Sequence, residues 1–407
     1  MKRILIMMTE AGGGHRVSAE ALREAFHERF GGEFQIEIVD MWAKHTRVLL
    51  RRLPRSYRFW ATEVPWMYKS LYRLFEKEDQ LGWFWDGIYY WVRNPVSRAF
   101  RLYDPEAIIS VHPLMQEVPL RILAHIGWKT PFFTVVTDLA SIHPTWLHRE
   151  VTLCFLPTEE ARQQALASGL REDQVRCYGL PIRPAFARPS VPREELRRGL
   201  GLAEDLPAVL LMGGGEGMGP VGKIAQAVAS RLAESGSGRP AGQMVVICGR
   251  NRKLQEALQS RSWPIPTRIL GFVQNMPEWM SACDCIITKA GPGTIAEALA
   301  CGLPILLSGF IPGQEEGNVS YVLEHGVGVY RQVPSEIAET VARWFGPERA
   351  ERARMAERAR RLSRPRAAFQ IVEEIARVLA TCEISKPAPM RIGMGRKADL
   401  FAGRTSP

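Results

Sequence analysis

The chain has 407 residues, enough for two domains with separate cores. Its 46% apolar content and mean hydropathy of −0.12 are those of a soluble globular fold, and no run approaches ~18 apolar residues, which excludes a membrane-spanning helix. Seven cysteines, an odd number without metal-ligand spacing, exclude a disulfide scaffold and fit buried thiols in a reducing cytosol. Net charge is +10 and unevenly placed: residues 42–103 hold twelve Lys/Arg against five Asp/Glu, and residues 349–366 hold eight Arg against two Glu. Such localised charge points to an anionic partner, either membrane lipid or nucleic acid.

Residues 4–8 form an apolar run too short for a signal-peptide core and read as a buried strand. Ala11, Gly12, Gly13, Gly14, His15 and Arg16 follow it and open a helix over residues 18–30. The glycines, Gly13 and Gly14 among them, let backbone approach a ligand, and His15 projects where a proton could be taken near neutral pH. Two other readings compete: a His15 that merely caps the turn, and a dinucleotide loop with Asp40 as its ribose acid. The second departs from the G-x-G-x-x-G spacing. Residues 34–40 alternate as a second strand.

Residues 42–103 interleave aromatics (Trp60, Trp66, Trp83, Trp85, Trp91, Tyr89, Tyr90) with Arg51, Arg52, Arg55, Arg58 and Lys69. Trp and Tyr favour the membrane interface and cationic side chains bind anionic headgroups. Packed core aromatics and a nucleic-acid surface use the same residue types. Short apolar runs at 107–111, 132–137 and 152–156, with helical stretches at 114–126 and 158–168, argue a parallel sheet covered by helices. Residues 180–196, with Pro181, Pro184, Pro189 and Pro192, read as an extended linker.

The pattern then restarts. Strands are expected at 208–212, 244–248, 268–270, 285–288 and 304–308. Gly213, Gly214, Gly215, Gly217 and Gly219 follow the first of these, Arg250 the second, and Gly271, Phe272 and Val273 the third. Residues 288–318 are the most informative stretch. Gly291, Gly293 and Thr294 start a helix whose unpaired N–H groups and positive dipole end make an anion site. Glu297, one turn on, can accept from a diol. Gln314, Glu315, Glu316 and Asn318 supply the donors and acceptors that sugar hydroxyls require. Phosphate site, diol acceptor and hydroxyl reader in sequence suggest a nucleotide-sugar pocket, against the plainer alternative of an ordinary strand–helix unit with a polar loop.

The segments GGGHRVSAEAL, VTDLASIHPTWLH, YGLPIRPAF, LLMGGGEGMGP, VICGRN, GFVQNM, DCIITKAGPGTIAEAL and GQEEGN occur in that order between residue 1 and about residue 380. Through them the chain resembles the monogalactosyldiacylglycerol synthases, glycosyltransferases related to the bacterial enzyme that makes lipid II of peptidoglycan. The resemblance implies an α/β chain of the GT-B fold, two Rossmann-like doubly wound domains facing across a cleft. Together with the linker it gives an acceptor- and membrane-binding domain at 1–190 with the aromatic–basic insert 42–103, a UDP-sugar domain at 197–362 and a C-terminal helix at 363–380, while residues 381–407 fall outside the resemblance and read as a mobile tail.

It further implies a UDP-hexose donor and a diacylglycerol acceptor. Phe272 and Val273 would face the uracil, and Glu297 the ribose. Gly214, Gly215, Arg250, Gly293 and Thr294 would hold the pyrophosphate. Gln314, Glu315 and Glu316 would read the hexose, with His15 as general base. Asp138 and His143 would lie near the acceptor or orient that base. No D-x-D pair sits on a pyrophosphate loop, so neither a metal nor an organic cofactor is expected. The expected reaction is inverting transfer of galactose from UDP-galactose to 1,2-diacylglycerol, peripherally on the cytoplasmic face of a membrane and without nucleic acid. Competing expectations are a diacylglycerol glucosyltransferase acting once or repeatedly, a polyprenyl-linked acceptor, a NAD-dependent oxidoreductase, and a non-catalytic lipid- or nucleic-acid-binding protein.

Overall fold

A computed structural model describes residues 1–10, 14–46, 82–188, 191–234 and 238–387. Gly13 and most of the aromatic–basic insert lie outside the described residues. Two six-stranded parallel sheets organise the rest.

The first sheet runs β1 (Lys2–Met8), β2 (Phe34–Asp40), β3 (Ala107–Ser110), β4 (Phe132–Val135), β5 (Leu153–Leu156) and β6 (Val175–Cys177), in spatial order β2-β1-β3-β4-β5-β6. Its helices are α1 (Gly14–Phe30), α2 (Met41–His45), α3 (Gly82–Tyr103), α4 (Glu117–His125) and α5 (Glu159–Ala167). β1 shows why the apolar runs are nearly continuous. Ile4, Ile6 and Met8 pack on one face with Phe26 of α1, whereas Leu5 and Met7 pack on the other with Val92 and Phe100 of α3. A strand covered on both faces has no polar side to show.

The second unit starts with α6 (Arg193–Leu200). It continues β7 (Ala208–Met212), α7 (Val221–Ala233), β8 (Gln243–Ile247), α8 (Arg252–Gln259), β9 (Thr267–Leu270), α9 (Met276–Ala282), β10 (Cys285–Lys289), α10 (Pro292–Ala300), β11 (Ile305–Gly309), α11 (Glu316–Glu324) and β12 (Gly328–Tyr330). The strand order is β12-β11-β10-β7-β8-β9. Then come α12 (Pro334–Phe345), α13 (Arg349–Leu362) and α14 (Ala367–Thr381).

α14 crosses back onto the first unit. Ile371, Val372, Ile375 and Leu379 join the core beneath β1, and Glu373 pairs with Arg29 at 2.8 Å. The sequence reading put residues 381–407 in a mobile tail, but its first residues are docked. Ser385 bridges Lys129, and Lys386 Nζ donates to Asp104 Oδ1 at 2.7 Å and lies over the Trp128 ring. Residues 388–407 lie outside the described residues.

Local chemistry explains other departures. The expected helix 114–126 begins only at Glu117, after a 3₁₀ turn at Pro113–Met115. Pro119 lacks an N–H and fits a helix only in its first turn. Likewise the proline-rich linker turns as a 3₁₀ segment at Pro184–Ala187 and becomes α6 immediately after Pro192.

Each sheet has a switch point, where chain order reverses and a crevice opens at the strands' carboxyl ends. In the first sheet it lies between β1 and β3, in the second between β7 and β10.

Candidate active site

At the first switch point stand the residues that follow β1, β3 and β4. His15 occupies the first turn of α1, which begins at Gly14 rather than Ser18. Its Nδ1 is 2.8 Å from Thr137 Oγ1, and its ring meets that of His112 edge-on at 4.5 Å. Burial pushes His15 down to about 4, partly opposed by a backbone hydrogen bond at Val111. His112 is held well below the usual imidazole range by burial and by His15, and its Nδ1 accepts from the Leu114 N–H at 3.2 Å. Both rings are therefore neutral near pH 7, the form in which a histidine can accept a proton.

The contact that orients His15 is with Thr137, not with the neighbouring Asp138. Asp138 Oδ2 accepts from Trp146 Nε1–H at 2.7 Å, and the carboxylate also bonds the His143 backbone and the Gln314 side chain. Burial pushes its pKa up to about 6, with nearby Glu315 adding to the rise. Asp138 thus joins the loop after β4 to the polar loop of the second domain. His143 is a structural cap: Nδ1 accepts from the Thr145 N–H at 3.2 Å and sits 2.8 Å from Thr145 Oγ1.

The two domains also touch beside Asp138. Ala140 N–H donates to Asn318 Oδ1 at 3.4 Å, and Asn318 Nδ2 donates to the Ala290 carbonyl at 2.9 Å. Asn318 is buried with both ends of its amide engaged, so it braces the cleft. Gly317 faces Ser141 so closely that a Cβ there would lie 2.6 Å from Ser141 Oγ.

The second switch point carries the phosphate-type elements. After β7 the chain folds tightly, with Met218 N–H on the Gly213 carbonyl at 2.8 Å and Gly214 at φ +71°. Arg250 N–H reaches into this turn at the Gly215 carbonyl (2.9 Å), while its guanidinium pairs with Glu216 at 2.8 Å and lies over the exposed Phe272 ring at 4.8 Å. Val273 is half-buried against the core. α10 starts at Pro292, after Gly291, which offers no side-chain cap and leaves the N–H groups at Gly293 and Thr294 as the natural anion donors there.

Glu297 lies one turn into α10, and its Oε1 receives Arg183 Nη2 at 3.2 Å. Burial raises its pKa despite that cation. Glu315 is engaged twice: Oε1 by Lys289 Nζ and Oε2 by the Ile311 N–H at 3.0 Å. Gln314 and Glu316 remain half-buried at the mouth. Lys289, Arg183, Thr137 and His112 were not singled out from the sequence. Lys289 and Arg183 carry one available signal, a cation inside a glycine- or proline-rich motif (TKAGPG, PIRP).

Comparison with known proteins identifies the family. The family model for monogalactosyldiacylglycerol (MGDG) synthase matches residues 15–182, and the glycosyltransferase family 28 C-terminal domain matches 208–367. The chloroplastic monogalactosyldiacylglycerol synthase of Spinacia oleracea is 49% identical over 381 residues, covering 92% of this chain and 72% of that protein. The chain belongs to the monogalactosyldiacylglycerol synthase family. Monogalactosyldiacylglycerol synthase 1 of Arabidopsis thaliana, also chloroplastic, is 48% identical over 92% of this chain and 70% of its own. Among solved structures, Acinetobacter baumannii MurG aligns with a TM-score of 0.58 at 13% identity, covering 93% of this chain and 100% of that one. The Staphylococcus aureus MnaA–UDP structure aligns at 0.58 and 15%, covering 95% and 99%. At that identity they speak to fold alone, and with the two parallel sheets they make this family member a GT-B protein.

Proposed function

We propose that the chain transfers galactose from UDP-galactose to the free hydroxyl of 1,2-diacylglycerol, with inversion. The observation that carries the reading is the pairing across one cleft. A neutral buried histidine stands at one switch point and two glycine turns and an uncapped helix start at the other, with Asp138 and Gln314 joining the two sides.

The acceptor hydroxyl is a weak acid, so its attack on the anomeric carbon needs a base. His15 takes that proton, and Thr137 holds the ring's orientation. The leaving diphosphate gathers negative charge as the bond breaks. Donors at Gly293 and Thr294, with Arg250, are fixed where that charge develops, which stabilises the transition state without reorganisation. Phe272 and Val273 supply an apolar face for the base, and Glu297 an acceptor for the ribose diol. Gln314 and Glu316 are half-buried polar groups of the loop that would meet the hexose. Bond formation on the face opposite the leaving group turns an α-linked donor into a β-glycoside.

The lipid acceptor lies in a membrane, and α3 gives the reading its surface. Trp83 and Tyr90, seven residues apart, are 76% and 66% exposed on one helix face, Trp91 is 46% exposed at its side, and Arg93 lies over the Tyr90 ring. No helix among the described residues is long and apolar enough to cross a membrane, so we propose peripheral attachment. The second basic cluster keeps its excess of positive charge, because its internal ion pairs use the two glutamates already counted against it. Arg354 and Arg358 pair with Glu351, and Arg361 with Glu357.

The test is a paired assay with purified protein, diacylglycerol in anionic vesicles, and labelled UDP-galactose or UDP-glucose. A single galactosyl lipid is the expected product. A glucosyl lipid or a ladder of products would replace the galactose assignment, and no lipid product from either donor would overturn the reading.

A further inference from the structure

We propose that Lys289 is the cation that receives the donor's diphosphate, and that Glu315 is its exchangeable counter-ion. The proposal deepens the donor reading above and rests on it.

Lys289 is the last residue of β10, at the switch point opposite β7. Its side chain runs between the two glycine turns. A Cβ added at Gly291 would stand 3.1 Å from Lys289 Nζ, and one added at Gly214 would stand 3.4 Å from Cε. The ammonium therefore occupies the gap that both turns leave open, where a phosphate lying on either one would meet it. Its side chain is 25% exposed, against 54% for Arg250 at the same crevice. Arg250 is already held by Glu216 and lies over Phe272. Lys289 is thus the better shielded charge, and shielding strengthens its attraction for a diphosphate.

Its present partner is the Glu315 carboxylate, only 4% exposed and anchored through its second oxygen by the Ile311 N–H. Glu315 is buried and held by the Ile311 N–H independently of the lysine, whereas Lys289 hangs on a four-carbon stem with three rotatable donors. The lysine is the partner that moves. A diphosphate entering between the glycine turns offers it a denser negative charge, and the ammonium shifts from the carboxylate toward the phosphates. Glu315 Oε1 is then free to accept from a hexose hydroxyl. The pair so couples diphosphate arrival to sugar reading, and spares the protein an unpaired buried charge beforehand.

Calorimetric titration with UDP and with uridine tests this, because the two ligands differ only in the diphosphate. In wild type, UDP binds far more tightly than uridine. The double variant Lys289→Met/Glu315→Gln removes both charges and leaves no buried ion unpaired. It is expected to lose about 10–100-fold in UDP affinity, the worth of a charge-assisted bond, with uridine affinity unchanged within about twofold. Glu315→Gln alone frees the lysine and holds UDP at least as tightly as wild type. Lys289→Arg keeps most of the discrimination. A double variant with the wild-type UDP-to-uridine ratio would make the pair structural and overturn the proposal. A Glu315→Gln variant that loses UDP as the double variant does would overturn the counter-ion half. Wild type that binds UDP no better than uridine would remove the donor reading itself.

Discussion

Arg183 clamps Glu297 from outside its helix: Nη2 lies 3.2 Å from Glu297 Oε1, and Nη1 donates to the Gln274 carbonyl at 3.0 Å. One side chain from the interdomain linker thus ties the proposed ribose acceptor to the loop bearing Phe272 and Val273.

Removing that clamp leaves Glu297 buried without its cation. Burial already holds the Glu297 carboxyl above the usual range, and Arg183 is what limits the rise. Arg183→Met is expected to raise it further, so that more of Glu297 is protonated at a given pH. A protonated carboxyl is a poorer acceptor for the ribose diol. The KM for donor should increase about tenfold, with a larger penalty at pH 6 than at pH 8. Stability should fall by about 1–3 kcal/mol, less than for a fully buried pair because Arg183 is partly exposed. Steady-state kinetics at the two pH values check the first point, and urea unfolding the second. A donor KM unchanged at both pH values would separate Glu297 from the ribose.

His15 carries the sharpest kinetic expectation. His15→Ala should lower turnover by ~10²–10⁴-fold, the usual worth of a general base, with donor KM little changed. Thr137→Val removes the hydroxyl 2.8 Å from His15 Nδ1 and keeps the shape. It is expected to cost about tenfold in kcat through loss of ring orientation, again with donor KM unchanged. Since burial holds His15 near 4, its own titration should leave kcat flat between pH 9 and pH 5. Near-wild-type turnover in His15→Ala would return the residue to a capping role.

Glycine and proline made much of this site readable. The two glycine turns, the helix start at Gly291 and the linker are written in residues whose backbone preferences are local. So are the two-sided apolar strands and their alternation with helices. The partners of the site residues were not readable, because they arise where strand ends meet. Thr137 reaches His15 across 122 positions, and Arg183 reaches Glu297 across 114. The polar loop shows the same limit. Composition made Glu315 and Asn318 look alike, yet the fold gives Glu315 a lysine partner and Asn318 a contact between the domains.

Asp138 gives a stability test with a definite sign. Its folded pKa, about 6, lies above the ordinary value of 3.8, so the folded protein binds this proton more tightly than the unfolded chain. The stabilisation is complete below the unfolded value and is lost as pH rises through about 6. At pH 8 the ionised carboxylate costs the fold on the order of 2–3 kcal/mol. Asp138→Asn keeps an acceptor for Trp146 Nε1–H and carries no charge. The variant is expected to gain stability over wild type at pH 8 and to match it at pH 4. Denaturant midpoints at both pH values decide the matter, and equal shifts at the two would show that Asp138 does not titrate in this range.

Closure of the cleft can be probed at Gly317. A methyl there would meet Ser141 Oγ at 2.6 Å, Ser141 Cβ at 2.9 Å and the Ser141 backbone nitrogen at 3.2 Å. Gly317→Ala is expected to push the loops apart and strain the Asp138–Gln314 and Ala140–Asn318 contacts. Turnover should drop about 10–100-fold, as misplacement of about an ångström does, while UDP binding to the second domain persists. Adding Ser141→Gly removes two of the three clashes and should restore most of the turnover. No rescue in the double variant would mean that this contact does not control closure.

The α3 surface is the remaining test. Trp83, Tyr90 and Trp91 present rings to solvent, and Arg93 lies over the Tyr90 ring at 5.3 Å. Buried aromatics would resist replacement, whereas these leave the core untouched, since Val92, Val96, Ala99 and Phe100 fill it from the opposite face. A Trp83→Ser/Tyr90→Ser/Trp91→Ser variant should therefore fold with a Tm near wild type. It should lose most of its co-flotation with anionic vesicles, and wild-type flotation should weaken with salt as headgroup attraction is screened. Activity on diacylglycerol in vesicles should fall in parallel, while activity on a short-chain diacylglycerol dispersed in detergent should be preserved. Equal loss on both acceptors would place the aromatic face in acceptor binding or catalysis instead of membrane docking. Unchanged flotation would move the docking surface elsewhere on the chain.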